Sequence, residues 1–113
     1  MEQPSRGDVW LVNLNPIRGR EQSGQRPAMV VSADLFNSGP ADLVVVLPIT
    51  SQAKGIPFHV QINPPEGGLT QASFIKCEDV RSISKERLIR RFGSVSDKTV
   101  NAVEDRLRIL LKL

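Results

Sequence analysis

The chain has one histidine, His59, and one cysteine, Cys77, so its options for covalent or acid–base chemistry are few. Cys77 has no second cysteine to bond and no neighbouring Cys or His set that could hold zinc, which leaves it as a small buried apolar residue. His59 falls inside a strand-like pattern, where a structural histidine is a better expectation than the base of a histidine-pair nuclease or a Ser-His-Asp hydrolase. The sequence also lacks a phosphate loop and the clustered carboxylates of a two-metal nuclease. Chemistry, if the protein performs any, therefore falls to Arg, Thr, Glu, Gln and Lys. The net charge of +3 is modest but unevenly spread: residues 76–113 carry ten basic and six acidic groups, residues 27–75 one and three, and residues 1–26 four and three. Within the late surplus, Arg81, Lys85, Arg87, Arg90 and Arg91 could track a phosphate backbone or simply form a solvated charged face.

The elements that must position these groups fit one domain over residues 1–113, because a chain of this length can bury one core and not two. Its 40% apolar and 24% charged content is that of a folded globular protein. Asp8 to Leu14 reads as a strand, being rich in Val, Leu and Trp and stopped by Asn15-Pro16. Residues 15–26 then form a polar, Gly- and Pro-containing connection, long enough to suggest a functional loop. Pro27 to Ser32, Asp42 to Thr50, Phe58 to Asn63 and Ser73 to Lys76 read as further strands, the second of them apolar enough to be buried on both faces. From Ser96 the apolar residues Val100, Val103, Leu107, Leu110 and Leu111 take helical spacing, with Ser96 as the cap and Asp97 at the positive end. The fold class expected is mainly β (α+β), a small SH3-like β-barrel closed by a C-terminal α-helix. The first residues contain no apolar signal-like core, and no run approaches the roughly eighteen apolar residues of a membrane span, so a cytoplasmic protein without membrane contact is expected.

Three segments form a pattern: Arg6-Gly7-Asp8-Val9-Trp10, then Gly19-Arg20-Glu21-Gln22-Ser23-Gly24-Gln25-Arg26-Pro27, then Leu47-Pro48-Ile49-Thr50-Ser51-Gln52. This resembles the MazF/PemK family of toxin endoribonucleases, and the resemblance continues through Lys54-Gly55-Ile56-Pro57-Phe58, Lys76-Cys77-Glu78-Asp79-Val80-Arg81 and the closing helix. It implies metal-independent cleavage of single-stranded RNA, with no cofactor, by attack of the neighbouring 2′-hydroxyl, leaving a 2′,3′-cyclic phosphate and a 5′-hydroxyl. Arg26 matches the family's catalytic arginine, whose planar guanidinium offers fixed donors to phosphate oxygens. A side chain with a pKa above 12 makes a poor base, so its part in proton transfer stays open. Thr50 matches the catalytic threonine, whose hydroxyl can donate to the phosphorane; without the resemblance it would read as a strand-end threonine.

Gly19, Glu21 and Gln22 fall in the loop that would grip RNA, with Glu21 and Gln22 able to bond unstacked base edges. Ser51, Gln52 and Lys54 follow Thr50 and could read bases or hold a flanking phosphate. Glu78 resembles an acidic position used in RNA contact, against the alternative of a salt bridge to Lys76 or Arg81. Trp10 and Phe58 are expected in the core. The resemblance further implies a homodimer, with RNA across the subunit interface, and a cognate antitoxin that blocks it. Arg20 stands where relatives carry other side chains, a difference that bears on RNA preference. Two rivals remain at this level: a gyrase-binding toxin of the CcdB type, and a nucleic-acid-binding module without catalysis.

Overall fold

The computed structural model describes residues 3–14 and 24–113. Seven strands, β1 (Asp8–Asn13), β2 (Gln25–Val30), β3 (Leu43–Thr50), β4 (His59–Ile62), β5 (Ser73–Lys76), β6 (Arg81–Ser84) and β7 (Leu88–Ser94), form the body of the fold. A short helix, α1 (Asp34–Asn37), separates β2 from β3, and a fifteen-residue helix, α2 (Asp97–Leu111), follows β7. All described strand pairs are antiparallel, in the order β4-β5-β3-β2-β1-β7, with β6 attached to β3. On one edge β3 changes partner along its length. Leu43–Val46 pairs with β6, whereas Ile49 and Thr50 pair with β5.

Side-chain alternation sorts the apolar residues into two cores, one on each face. Val9, Met29, Leu47, Ile49 and Ile75 go to one, and Trp10, Val12, Ala28, Val30, Val44 and Val46 to the other. Burial of β3 on both faces follows directly, as its nearly unbroken Leu and Val run implies. Val103 of α2 is buried in the first core, with Val100 and Leu107 packed beside it. Ser96 caps the helix, its hydroxyl accepting from the Thr99 backbone N–H at 3.2 Å, and a left-handed Lys112 ends it.

The expected class holds, with differences in detail. The described strand path ends at β4 and β7 without joining them, so the sheet is not a closed barrel. Leu111, assigned to the helix's apolar face, is 53% exposed at the last residue of α2. The strands β6 and β7 lie within the stretch read only as basic: β6 is four residues long, and β7 exposes Ile89, Arg90 and Arg91 in succession between buried Leu88 and half-buried Phe92, where its register on β1 shifts, so no period of two shows. Among the described residues no helix is long and apolar enough to cross a membrane.

Candidate active site

The register of β2 and β3 brings together the two residues assigned to catalysis. Ala28 pairs with Pro48, Met29 with Leu47 and Val30 with Val46, so the same antiparallel numbering carried two residues further sets Arg26 opposite Thr50. Both side chains then leave the same face of the sheet. Arg26 is exposed near the start of β2, and Thr50 is half-buried at the end of β3. They line one open cleft of about 800 Å³.

The Thr50 hydroxyl is oriented by its own loop. Its oxygen accepts from the backbone N–H of Gln52 at 3.2 Å, which leaves the hydroxyl proton available to donate into the cleft. Ser51, Gln52 and Lys54 continue from there, exposed, along the same rim. The far end of this loop is tied to the helix, where Arg106 Nε donates to the Pro57 carbonyl at 2.9 Å.

Residues 68–71 supply the opposing wall, held by close packing and by a carboxylate. Gly68 has φ of +69°, and a Cβ there would lie 2.1 Å from the Phe92 carbonyl oxygen, so only glycine lets this turn seat against β7. Two residues earlier, Glu66 accepts from the Ser96 backbone N–H at 3.0 Å, from the Ser96 hydroxyl at 3.2 Å and from the Thr99 hydroxyl. Partial burial works against its ionised form, but the bonds from Thr99 and Ser96 outweigh that and hold the carboxyl below its usual range. The wall is thereby joined to the first turn of α2.

The cleft is electropositive. Its described lining includes Arg26, Lys54, Lys76, Arg90 and Arg91, while the remaining side chains are neutral. Such a surface attracts an anion, and its arginines offer paired donors to phosphate oxygens. Of the lining groups, Lys76 and the neutral pair Thr70 and Gln71 were not named for the site from sequence, and Arg90 and Arg91 only as members of a basic cluster that could track phosphates. Folding brings them in from β5, β7 and the 68–71 turn. Arg90 also lies over the Phe92 ring, 5.1 Å from its centroid.

Other assigned positions fall elsewhere. Gly19, Glu21 and Gln22 lie outside the described residues, as does Arg20. Glu78 is not part of the cleft lining; its carboxylate sits 2.9 Å from His59 Nε2. The alternative salt bridge from Glu78 to Lys76 or Arg81 is not formed among the described residues, where both cations pair with Asp79, at 3.5 and 2.9 Å. Burial opposes ionisation of Asp79, yet bonding to Arg81 and the nearby Lys76 charge hold its carboxyl below the usual range. The basic run also divides. Arg81 pairs with Asp79, Lys85 donates to the Asn37 carbonyl and Arg87 to the Asn13 carbonyl, leaving Arg90 and Arg91 at the cleft. His59 is structural in its placement, its side chain only 4% exposed. Trp10 and Cys77 are in the core, and Phe58 packs against it. Burial, with the Glu78 charge adding to it, pushes the Cys77 thiol up to about 12, which removes it as a nucleophile at neutral pH.

Residues 5–111 match the family described as PemK-like, MazF-like toxin of type II toxin-antitoxin system. The chain is 39% identical over 113 residues to endoribonuclease MazF9 of Mycobacterium tuberculosis, covering 96% of each protein. Among solved structures it is similar to MazF from Deinococcus radiodurans, with a TM-score of 0.88, 29% identity and full coverage of both chains. A MazE–MazF structure from the same organism superposes with a TM-score of 0.83 and 29% identity, covering 100% of this chain and 99% of the other.

Proposed function

Because the chain belongs to the PemK-like, MazF-like toxin family of type II toxin–antitoxin systems, we propose that it is an endoribonuclease that cuts single-stranded RNA. The observation that carries this reading is the shared cleft of Arg26 and Thr50 in an electropositive surface. The similarity to a mycobacterial endoribonuclease supports the activity. The whole described chain acts as one domain, its two cores sharing a single sheet.

In the reaction proposed, the 2′-oxygen next to the scissile phosphate loses its proton and attacks phosphorus. The bond from phosphorus to the 5′-oxygen breaks, and that oxygen takes up a proton. The products are a 2′,3′-cyclic phosphate and a 5′-hydroxyl. Arg26 supplies charge and forked donors to the phosphoryl oxygens as negative charge grows, and Thr50 donates its hydroxyl proton in a hydrogen bond to the same group. Cationic and hydroxyl groups around a phosphate supply the stabilisation for which other nucleases use a metal ion, so cleavage is assigned as metal-independent. Ser51, Gln52 and Lys54 are assigned to RNA on the Thr50 rim, Gly19, Glu21 and Gln22 to RNA from the β1–β2 connection, and Glu78 to a contact outside the cleft.

The active form is assigned as a homodimer controlled by a cognate antitoxin; the MazE–MazF structure of the Deinococcus relative supports such a partner. The deciding experiment incubates the purified protein with heteropolymeric single-stranded RNA in EDTA and maps the ends. Fragments with cyclic phosphate and 5′-hydroxyl termini are expected. Intact RNA in EDTA, with cleavage restored by added divalent ions, would overturn the metal-independent mechanism. Intact RNA under both conditions, with retained RNA binding, would favour the non-catalytic module.

A further inference from the structure

The described polar contacts contain one arrangement that the cleavage chemistry does not use. Asp8, only 5% exposed, is bonded on every side: its carboxylate accepts from the Ser5 backbone N–H at 2.8 Å, from Trp10 Nε1 at 3.2 Å and from Arg91 Nε at 3.1 Å. Arg91 lies on the neighbouring strand, its Cα opposite Trp10, and its side chain remains 35% exposed while lining the cleft. Only Nε is engaged by Asp8, so both terminal nitrogens stay available among the described residues. A carboxylate buried beneath an arginine in this way fixes the guanidinium and limits the entropy lost when it grips a ligand.

The strand register says where that grip falls. Arg26 is opposite Val12 and Arg91 is opposite Trp10, on the two sides of β1, so their side chains leave the same face. Ideal strand spacings and a two-residue step put their Cα atoms roughly 12 Å apart, with β7 irregular on either side of Arg90 and Arg91. Asp8 lies beyond Trp10, on the side away from Val12, and so draws the Arg91 guanidinium further from Arg26. We propose that Arg91, with Asp8 as its positioning residue, is a second phosphate subsite, which holds a backbone phosphate flanking the scissile one. The proposal rests on the RNA-cleaving reading above and deepens it. Two anchored phosphates fix the register of a flexible strand over Arg26 and Thr50, which affects how tightly RNA binds more than how fast the bound bond breaks.

The test measures steady-state cleavage of heteropolymeric single-stranded RNA at several salt concentrations by wild type, Arg91→Ala, Arg91→Lys and Asp8→Asn, with folding checked by circular dichroism. For Arg91→Ala, KM is expected to rise about tenfold with kcat within about twofold, as for a lost uniform contact. Its log–log salt dependence should flatten by about 0.7, the share of one phosphate contact on a single strand. Asp8→Asn keeps the Arg91 charge, so its salt slope should stay near wild type while KM rises about threefold through poorer orientation. Arg91→Lys should likewise keep the slope and lose affinity, and it stands in if Asp8→Asn fails to fold. Wild-type KM and slope in Arg91→Ala would overturn the subsite while leaving the nuclease reading intact. A fall in kcat at unchanged KM would overturn it too, by moving Arg91 into the chemical step. If the wild type neither cleaves nor binds RNA, the underlying reading fails with it.

Discussion

Replacing Thr50 by valine removes one hydroxyl and keeps the shape, so it isolates the donor assigned to the phosphorane. The hydroxyl oxygen accepts one hydrogen bond, from the exposed Gln52 backbone N–H at 3.2 Å, and water can take over that bond in the variant. The cost in stability is therefore expected below about 1 kcal/mol, and valine suits the end of a strand at least as well as threonine. Catalysis should respond very differently. Loss of a preorganised donor to developing negative charge removes about 3–4 kcal/mol of transition-state stabilisation, or roughly 10²–10³ in kcat. Thr50→Ser restores the donor with a looser χ1 and should recover activity to within about tenfold of wild type. The assay is single-turnover cleavage of labelled single-stranded RNA in EDTA at saturating enzyme, with thermal midpoints measured alongside. A folded Thr50→Val protein that cleaves at the wild-type rate would refute the role of the hydroxyl. Equal losses in valine and serine variants would show that packing at this strand end matters instead.

Three further outcomes follow from the surroundings of Glu66, His59 and Cys77. Glu66 has a carboxyl held below its normal range, so the stability it contributes is complete above its unfolded value of 4.5 and is lost as pH falls through the lower folded value. Glu66→Gln should lower the thermal midpoint at pH 7 by about 4 °C, for about 1 kcal/mol, and flatten its fall below pH 4.5; an unchanged acid profile would show that this tie is not stabilising. His59→Ala should keep kcat within about threefold despite a lower midpoint, because the side chain is buried against Glu78 away from the cleft, and complete loss in a folded variant would demand a histidine-based mechanism. The native Cys77 thiol, fully buried and raised to about 12, should resist iodoacetamide at pH 8 and react only after unfolding, a difference visible by intact mass; rapid labelling of folded protein would contradict its placement.

Much of the fold was legible because a few segments carry uncluttered periodicity. The β3 run of Leu and Val announces burial on both faces, and the spacing of Val100, Val103 and Leu107 behind Ser96 defines the helix and its start. The stretch from Arg81 to Ser94 was not legible as two strands, because β6 is only four residues long and β7 exposes Ile89, Arg90 and Arg91 in succession where its register on β1 shifts, which erases the period of two. The short helix α1 escaped notice for another reason: four residues, Asp34–Asn37, hold too few turns to show a period. Barrel closure could not be read at all, since it depends on whether the terminal strands of the path meet, which no local pattern encodes.

The site divides along the same line. Arg26 and Thr50 could be proposed from their motifs, and the pairing of Ala28 with Pro48 explains why residues twenty-four positions apart share a cleft. Arg91 was visible only as one basic residue in a run of five, where nothing distinguishes a cation aimed at substrate from one spent on structure. Its meaning comes from a partner 83 positions away: Asp8 in the Arg-Gly-Asp-Val-Trp segment, which sequence shows as part of a motif without a task. The two ends of that contact lie on strands adjacent only in space, and Glu66 with Thr99 and Arg106 with Pro57 likewise join a helix to a turn or loop far away in sequence. Residues that act directly on a ligand can be proposed from their type and motif. Those that aim them depend on long-range pairings, because an orienting bond needs only one suitable atom at the right place and leaves no spacing rule in the chain.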